Sequence, residues 1–447
     1  MAASEGVMFG RMLNLLLLPA LVVMALQDRP PKRCAKAARL AMSVDAKRLE
    51  KTVRDIVAFG TRHTLSDTKD PKRGIGAARD YLEARLRKAA SRSQGRMVVT
   101  REAHTVGSRR GRNIEVVNLV ATIKGFTDPD RVYVIGGHYD SRNISNGDGE
   151  RDAPGANDDG SGTAAVVELA DLLATVPLRA TLRLVCYDGE ELGLLGSRAD
   201  AKQLAEQGVV VDGMLTMDIV GNTEGTDGRR ERSYVRVFSY QDTAADSPGR
   251  NLARVAADCA HRYLSDFRVR LIFRGDRYGR GGDHRPFAEQ GWAAIRFTEP
   301  YENYPRQHQN VTEKNGKPYG DLPDYMDFAY LANVTRLALC TFYELATAPA
   351  MPAPPRVRGR NFSTTVQIRP GDTPAYLAGW EVVWRGTTAA DWQKARFVPK
   401  KRATRRGVSV TVEDLLLDDA IVGVRAVSNE GARSRIMSAR EASIRRR

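Results

Sequence analysis

His138 and Asp140 stand two positions apart in the stretch GGHYDSR, Gly136 to Arg142, directly after the apolar run Val132 to Ile135. An imidazole and a carboxylate at that spacing can orient a metal ion or pass a proton, but one pair alone decides neither. Further acids recur in matching places. Asp158 and Asp159 lie in the glycine-rich turn APGANDDGSG, and Asp188, Glu190 and Glu191 follow the run Thr181 to Tyr187. Asp218 follows Met214 to Met217, and His308 lies in the loop EPYENYPRQHQN beyond Phe297.

Taken singly, each has an ordinary structural reading: a hydrogen-bonded buried histidine, a helix N-cap at Asp158 or Asp159, a solvated helix start at Glu190 and Glu191. Recurrence at five successive strand ends is what argues for one shared site. Carboxylates gathered without counter-charge raise one another's pKa and resist ionising. A pair of divalent cations removes that conflict. Two histidines among three or more carboxylates suit zinc, whereas an all-oxygen magnesium site has no need of imidazole. Competing signatures are absent: there is no G-x-S-x-G elbow, no H-E-x-x-H, no Walker loop and no G-x-G-x-x-G turn. His63, His104, His261 and His284 have no comparable setting, although GGDHRPF, Gly281 to Phe287, reads as a loop lining the site.

Such a site needs elements that deliver every strand end to one edge. From Ser43 to Ala90 the pattern is helical, with Leu49, Val53, Ile56 and Val57 on one stripe and Ile75, Ala78, Tyr81, Leu82 and Leu86 on another. Past Gln94-Gly95 the texture turns to β-branched runs at Met97 to Thr100, Ile114 to Ile123 and Val132 to Ile135. Strand and helix then alternate: helix from Ser161 to Leu173, strand from Thr181 to Tyr187, helix from Leu194 to Ala205, strand from Met214 to Met217, strand from Ala293 to Phe297 and a closing helix from Tyr330 to Ala346. That alternation predicts a mixed α/β sheet, parallel at its centre, with helices on both faces. Ligands of such sheets bind beyond the carboxyl ends of the strands.

At 447 residues, 42% apolar and 28% charged, the chain has the composition of ordinary globular protein and the length of more than one domain. The apolar run Leu13 to Leu26 after Arg11 reads as a signal peptide over residues 1–25, shorter than a spanning helix requires. Export through it predicts a secreted or periplasmic protein. APAMPAPPRVRG, residues 348–359, reads as a proline-rich linker, and residues 360–447 as an all-β sandwich without a titratable cluster. Cys34, Cys186, Cys259 and Cys340 show no metal-ligand spacing. The formal net charge of +15 is scattered through KRCAK, GSRRGR, KKRATRR and the terminal RRR. With no reading helix or aromatic platform it is read as solvated surface charge, not a nucleic-acid site; weak attachment to anionic envelope or wall material stays open.

The ordered series GGHYDS, APGANDDGSG, DGEELGLLGS, MDIVGN, GGDHRPF and RQHQN resembles metallopeptidase family 28, the co-catalytic dizinc aminopeptidases and their carboxypeptidase relatives, over about Ser43 to Ala346. The resemblance implies a peptidase domain over residues 43–347 that carries two zinc ions per chain. It makes Asp158 the carboxylate bridging both metals, with His138 and Asp218 completing one site and Glu191 and His308 the other. Glu190 is then the general base, and Asp140 orients His138 from behind. Tyr278 is the nearest match to the group that reads the substrate terminus or steadies the oxyanion. The implied activity is an exopeptidase on peptide substrates, an aminopeptidase first and a glutamate-type carboxypeptidase as the alternative. A different class, a non-catalytic binding protein, would use the tail, which resembles a fibronectin type III module through Trp380, Trp384 and GVRAVSNEG.

Overall fold

The computed structural model describes residues 32–107, 113–240, 246–369, 371, 373–404 and 407–440. The signal peptide expected over residues 1–25 lies outside them. The chain divides into two compact units, Ala35–Thr347 and the residues from Ala348 onward together with the segment up to Cys34.

The first unit opens with three helices, α1 Ala35–Met42, α2 Ala46–Val57 and α3 Gly74–Ser91. Asp45 caps α2 by accepting from the Lys47 amide, and the apolar stripe Leu49, Val53 and Ile56 is buried. Then come β1 Met97–Gly107, β2 Asn113–Ile123, β3 Asp128–His138, α4 Gly160–Leu173, β4 Ala180–Tyr187, α5 Leu195–Glu206 and β5 Val211–Met217. They are followed by β6 Tyr234–Ser239, α6 Pro248–Tyr263, β7 Arg268–Ile272, α7 His284–Glu289, β8 Ala294–Thr298, the short hairpin β9 Thr312–Lys314 with β10 Lys317–Tyr319, and α8 Phe328–Thr347.

Eight strands form one sheet in the order β1-β2-β4-β3-β5-β8-β6-β7. The central strands β4, β3, β5 and β8 are mutually parallel, while β2 joins β4 and β6 joins β8 antiparallel. Side chains alternate between the faces, so Val132 and Val134 pack with Leu204 of α5 and Phe287 of α7. Tyr133, between them, meets Phe342 of α8 edge-on at 6.1 Å on the other face. The centre is therefore covered on both sides, which is why its strands are continuous apolar runs. The segment β6, α6 and β7, which the periodicity of the sequence does not single out, extends the sheet beyond β8. Burial pushes the thiols of Cys186 and Cys259 up to about 12, so they act as small hydrophobes.

The second unit is all antiparallel strand: β11 Arg356–Arg360, β12 Ser363–Ile368, β13 Leu377–Gly386, β14 Lys394–Pro399, β15 Val408–Glu413, β16 Ala420–Ser428 and β17 Met437–Ser438. A sheet β11-β12-β15 and a sheet β14-β13-β16-β17 share one core that includes Val366, Trp380, Val398, Val410 and Val424. The proline-rich stretch ends earlier than expected, because residues 356–360 pair with β12 and belong to the sandwich.

Candidate metal centre

Because β3, β4, β5 and β8 run in one direction, their carboxyl ends open on the same edge. His138 is the last residue of β3 and pairs in register with Tyr187, the last of β4, so Asp188 to Glu191 emerge beside it. Met217 pairs with Phe297, which sets Asp218 next to the loop that follows β8. Between them, α4 points its N-terminus at the same place. A Cβ on Gly162 would stand 1.9 Å from the Met217 carbonyl oxygen, and one on Gly137 would stand 2.7 Å from the Gly162 carbonyl carbon. Only glycine allows helix and strands to close up here.

Asp158 and Asp159, neighbours in the sequence, divide two tasks. Asp159 caps α4, accepting from the Gly162 amide at 2.9 Å, and with its other oxygen accepts from the His138 amide at 3.0 Å. Asp158 faces the site, with Oδ1 3.2 Å from His138 Nε2 and Oδ2 2.8 Å from His308 Nε2. Around it two clusters form, His138 with Asp158 and Asp218, and Asp158 with Glu191 and His308. Asp218 Oδ2 is 3.9 Å from His138 Nε2, and Glu191 Oε1 is 2.8 Å from His308 Nε2. Every candidate ligand named by the sequence is therefore brought together.

The donor set fits zinc. Ligands bonded at ~2.0–2.1 Å in a tetrahedron stand about 3.3 Å apart, and the separations here, 2.8 to 3.9 Å, bracket that value. His138 Nε2 is buried and makes no directed hydrogen bond, the signature of a nitrogen aimed at a ligand. Electrostatics agree. Burial opposes protonation of His308, yet Glu191 and Asp158 raise it to about 10. His138 is likewise lifted well above the usual imidazole range by Glu190, Asp140 and Asp158 against its burial. Asp158 resists burial and lies well below the carboxylate range because both histidines face it. The acids demand positive charge, and a dication supplies it without a proton.

Glu190 lines the same space with Oε2 4.0 Å from His138 Nε2, outside both clusters. Burial, reinforced by Asp218 and Glu191, pushes its carboxyl well above the usual range, against the pull of His138. Asp140 sits behind. Its backbone carbonyl lies 3.1 Å and its Oδ1 3.3 Å from His138 Nδ1, while its two oxygens accept from the amides of Glu190 and Glu191 at 3.2 and 3.1 Å. One carboxylate thus orients a ligand and both glutamates.

Several supports escaped the sequence reading. Asp321 accepts from the amides of Asn157 and Asp158 at 2.9 and 2.7 Å and fixes the glycine-rich turn. Arg296, fully buried inside β8, holds Asp218 Oδ1 at 2.9 Å and Asp276 Oδ2 at 3.2 Å. Arg62 is also fully buried and donates to the carbonyls of Tyr139 and Gly155 at 2.7 and 2.9 Å. Gln307 donates to Asp158 Oδ2 at 2.8 Å, and it alone had a visible signal, its place in RQHQN. His308 adopts a left-handed backbone, φ 55°, a conformation rare outside glycine and frequent at functional sites.

Asp188, directly after β4, belongs to neither cluster: it accepts from the Val117 amide at 3.0 Å and Thr64 Oγ1 at 3.0 Å, with Arg79 Nη2 at 3.3 Å, and ties the neighbouring loop to β2. One expectation shifts. Tyr278, expected to meet substrate, is 90% exposed and does not line the cleft that its neighbours Arg277 and Gly279 border. Its ring is instead turned outward beside Arg274. In GGDHRPF, Gly281 lines the cleft while His284 Nε2 bonds the Gly275 carbonyl at 2.7 Å.

A centrally parallel α/β sheet thus gathers two histidine–carboxylate clusters at one edge, the arrangement of a zinc-dependent hydrolase site. Residues 118–325 match Peptidase family M28. The chain is 40% identical to a probable zinc metalloprotease of Leptosphaeria maculans, over 88% of this chain and 94% of that one. It is 38% identical to one of Pyrenophora tritici-repentis, over 86% and 93%. Among solved structures it is similar in fold to the LapA aminopeptidase of Legionella pneumophila, with a TM-score of 0.53 at 19% identity, 70% of this chain and 75% of that one. A leucine aminopeptidase precursor of Bacteroides thetaiotaomicron gives 0.51 at 19% identity, over 67% and 97%. The chain belongs to peptidase family M28.

Proposed function

We propose that the protein is an exported aminopeptidase carrying two zinc ions, removing N-terminal residues from peptides. The observation that carries this reading is Asp158, whose two oxygens each face a different histidine, beside an acid, Glu190, that neither cluster needs. The aminopeptidases among the structural neighbours support the choice of peptide end. Bound zinc would supply Lewis acidity, lowering the pKa of a water and polarising the scissile carbonyl. The chain does the rest. His138, Asp218, Glu191, His308 and Asp158 would hold the ions, and Asp140 keeps His138 and the two glutamates aligned. Glu190, beside both clusters but part of neither, would take the proton of the attacking water and return it to the leaving nitrogen. The run Leu13 to Leu26 supports export. The two antiparallel sheets of the second unit support a fibronectin type III-like accessory module.

The test is a panel of amino-acid anilides and dipeptides with and without chelator. Glu190→Gln should keep its zinc and lose kcat by about 10²–10⁴-fold. An active Glu190→Gln protein would sink the assignment of the base.

A further inference from the structure

The cleft in front of the candidate metal centre, about 570 Å³, is lined by five arginines, Arg142, Arg198, Arg277, Arg280 and Arg285. Its lining contains no acid beyond Asp158, Glu190, Glu191 and Asp218, and Leu194 is its single apolar side chain among the described residues. A pocket for leucine-like side chains would be built the other way round, from apolar walls with a few polar groups. The arginines come from separate places: Arg142 from the loop after β3, Arg198 from α5, Arg277 and Arg280 from the loop between β7 and α7, and Arg285 from α7.

Their charge is only partly met. Arg198 and Arg285 share one carboxylate, Glu289, at 3.0 and 2.8 Å, and remain 44% and 47% exposed. Arg277 and Arg280 share Glu302 at 3.1 and 2.8 Å, and Arg236 reaches its other oxygen at 3.1 Å. Arg277 also reaches Asp276 at 3.0 Å, but that carboxylate serves the buried Arg296 as well. Arg142 stands 3.0 Å from Glu191, a residue of the second cluster. With metal bound, Asp158, Asp218 and Glu191 would be given over to the ions, leaving Glu190 as the one lining acid to offset five guanidiniums, so the walls would present surplus positive charge to whatever enters. The shared glutamates brace the side chains from behind, which reduces the ordering penalty when an anion is gripped.

Resting on the peptidase reading, we propose that this cleft selects peptides that present a carboxylate beside the scissile bond. Guanidinium forks bind that group in a planar, two-point fashion that no neutral side chain reproduces. The carboxylate has two sources, an acidic side chain on the terminal residue or the terminal carboxyl itself, and the recognising chemistry is the same.

The zinc-loaded full chain, assayed on anilides led by Glu, Asp, Leu and Lys, separates the outcomes, since anilides carry no terminal carboxyl. Dipeptides with free and amidated carboxyl ends test the second source. The expected result is a kcat/KM advantage on the order of tenfold for the carboxylate-bearing member of one set, shrinking in high salt. The double variant Arg198→Gln, Arg285→Gln should lose most of that ratio, and the Arg→Lys pair should keep more of it. A ratio is internal to each preparation, so partial misfolding does not mimic the effect. Hydrolysis that favours Leu-led and amidated substrates, with a ratio indifferent to both variants, overturns this inference and leaves the peptidase reading standing. Failure to hydrolyse any peptide overturns the peptidase reading, and calorimetry with glutarate then decides the rest. Glutarate bound on the order of tenfold more tightly by the wild type than by the Gln pair supports the carboxylate site; equal or absent binding overturns it.

Discussion

Asp158 and Asp159 differ in nothing but position, yet one faces two histidines and the other holds a helix end and the His138 amide. Glu190 and Glu191 divide in the same way, the second within 2.8 Å of His308 and the first outside both clusters. Their common anchor is Asp140. Asp140→Ala should weaken zinc affinity by about 10–100-fold through lost orientation, as measured by competition with a chelator. Unchanged affinity would show that the amides of Glu190 and Glu191 need no anchor. A pH effect belongs to Asp321, which burial raises to about 7 against the pull of the Asp158 and Asn157 amides. Its folded pKa lies above the unfolded value, so the folded chain holds the extra proton between about pH 4 and about pH 7. Its contribution to stability therefore falls as pH rises through that window and levels off above it. Asp321→Asn has no such proton, so in denaturant titrations of chelated protein its stability relative to wild type should climb from about pH 4 to about pH 7. Parallel profiles would contradict the shifted carboxyl. The candidate ligands were legible in the sequence because His138 and Asp218 directly follow apolar runs, Glu191 lies just past one, and Asp158 and His308 stand in the motifs APGANDDGSG and RQHQN that carry the family resemblance. Arg296 was not, because it sits inside an apolar run, and a buried guanidinium within a strand leaves no periodic trace.

At the scale of elements, the site depends on the parallel register of β3, β4, β5 and β8 and on the approach of α4. Gly162→Ala would drive a methyl group into the Met217 carbonyl, the residue before Asp218. We expect a loss of at least about 1–3 kcal/mol by thermal or chemical unfolding, together with weaker metal binding. A variant as stable as wild type would mean that helix and strand are not in contact there. The central strands were legible because both faces are covered and their runs are continuous, whereas β6 and β7 interleave arginine with valine, as in Tyr234-Val-Arg-Val and Arg268-Val-Arg-Leu. Those strands lie beyond β8, and β7 is half exposed, so alternation replaces the continuous apolar pattern. Helix α6 has a readable start, Ser247 accepting from the Arg250 amide before Pro248, but small alanines fill much of its buried face and blunt its stripe.

For the whole molecule, the net charge of +15 reads in the sequence as scattered solvated arginine and lysine. Part of it converges instead. Arg142, Arg198, Arg277, Arg280 and Arg285 lie in three distant stretches of chain, and only the fold places them around one cleft. Spacing along a chain cannot show a convergence that depends on tertiary structure, and the same limit hid Arg62 and Asp321 behind the glycine-rich turn. The metals bear on the whole chain too, since ions bound by the folded state alone add stability by mass action, so chelation should lower the unfolding temperature of the intact protein. The most direct test of the two-ion centre is metal stoichiometry after equilibrium dialysis against zinc. Wild type should hold two zinc ions per chain, Asp218→Ala should lose the one it shares with His138, and Asp158→Ala, lacking the carboxylate between the clusters, should fail to hold the pair. A wild type saturating at one ion, or an Asp158→Ala protein that still binds two, would contradict the account.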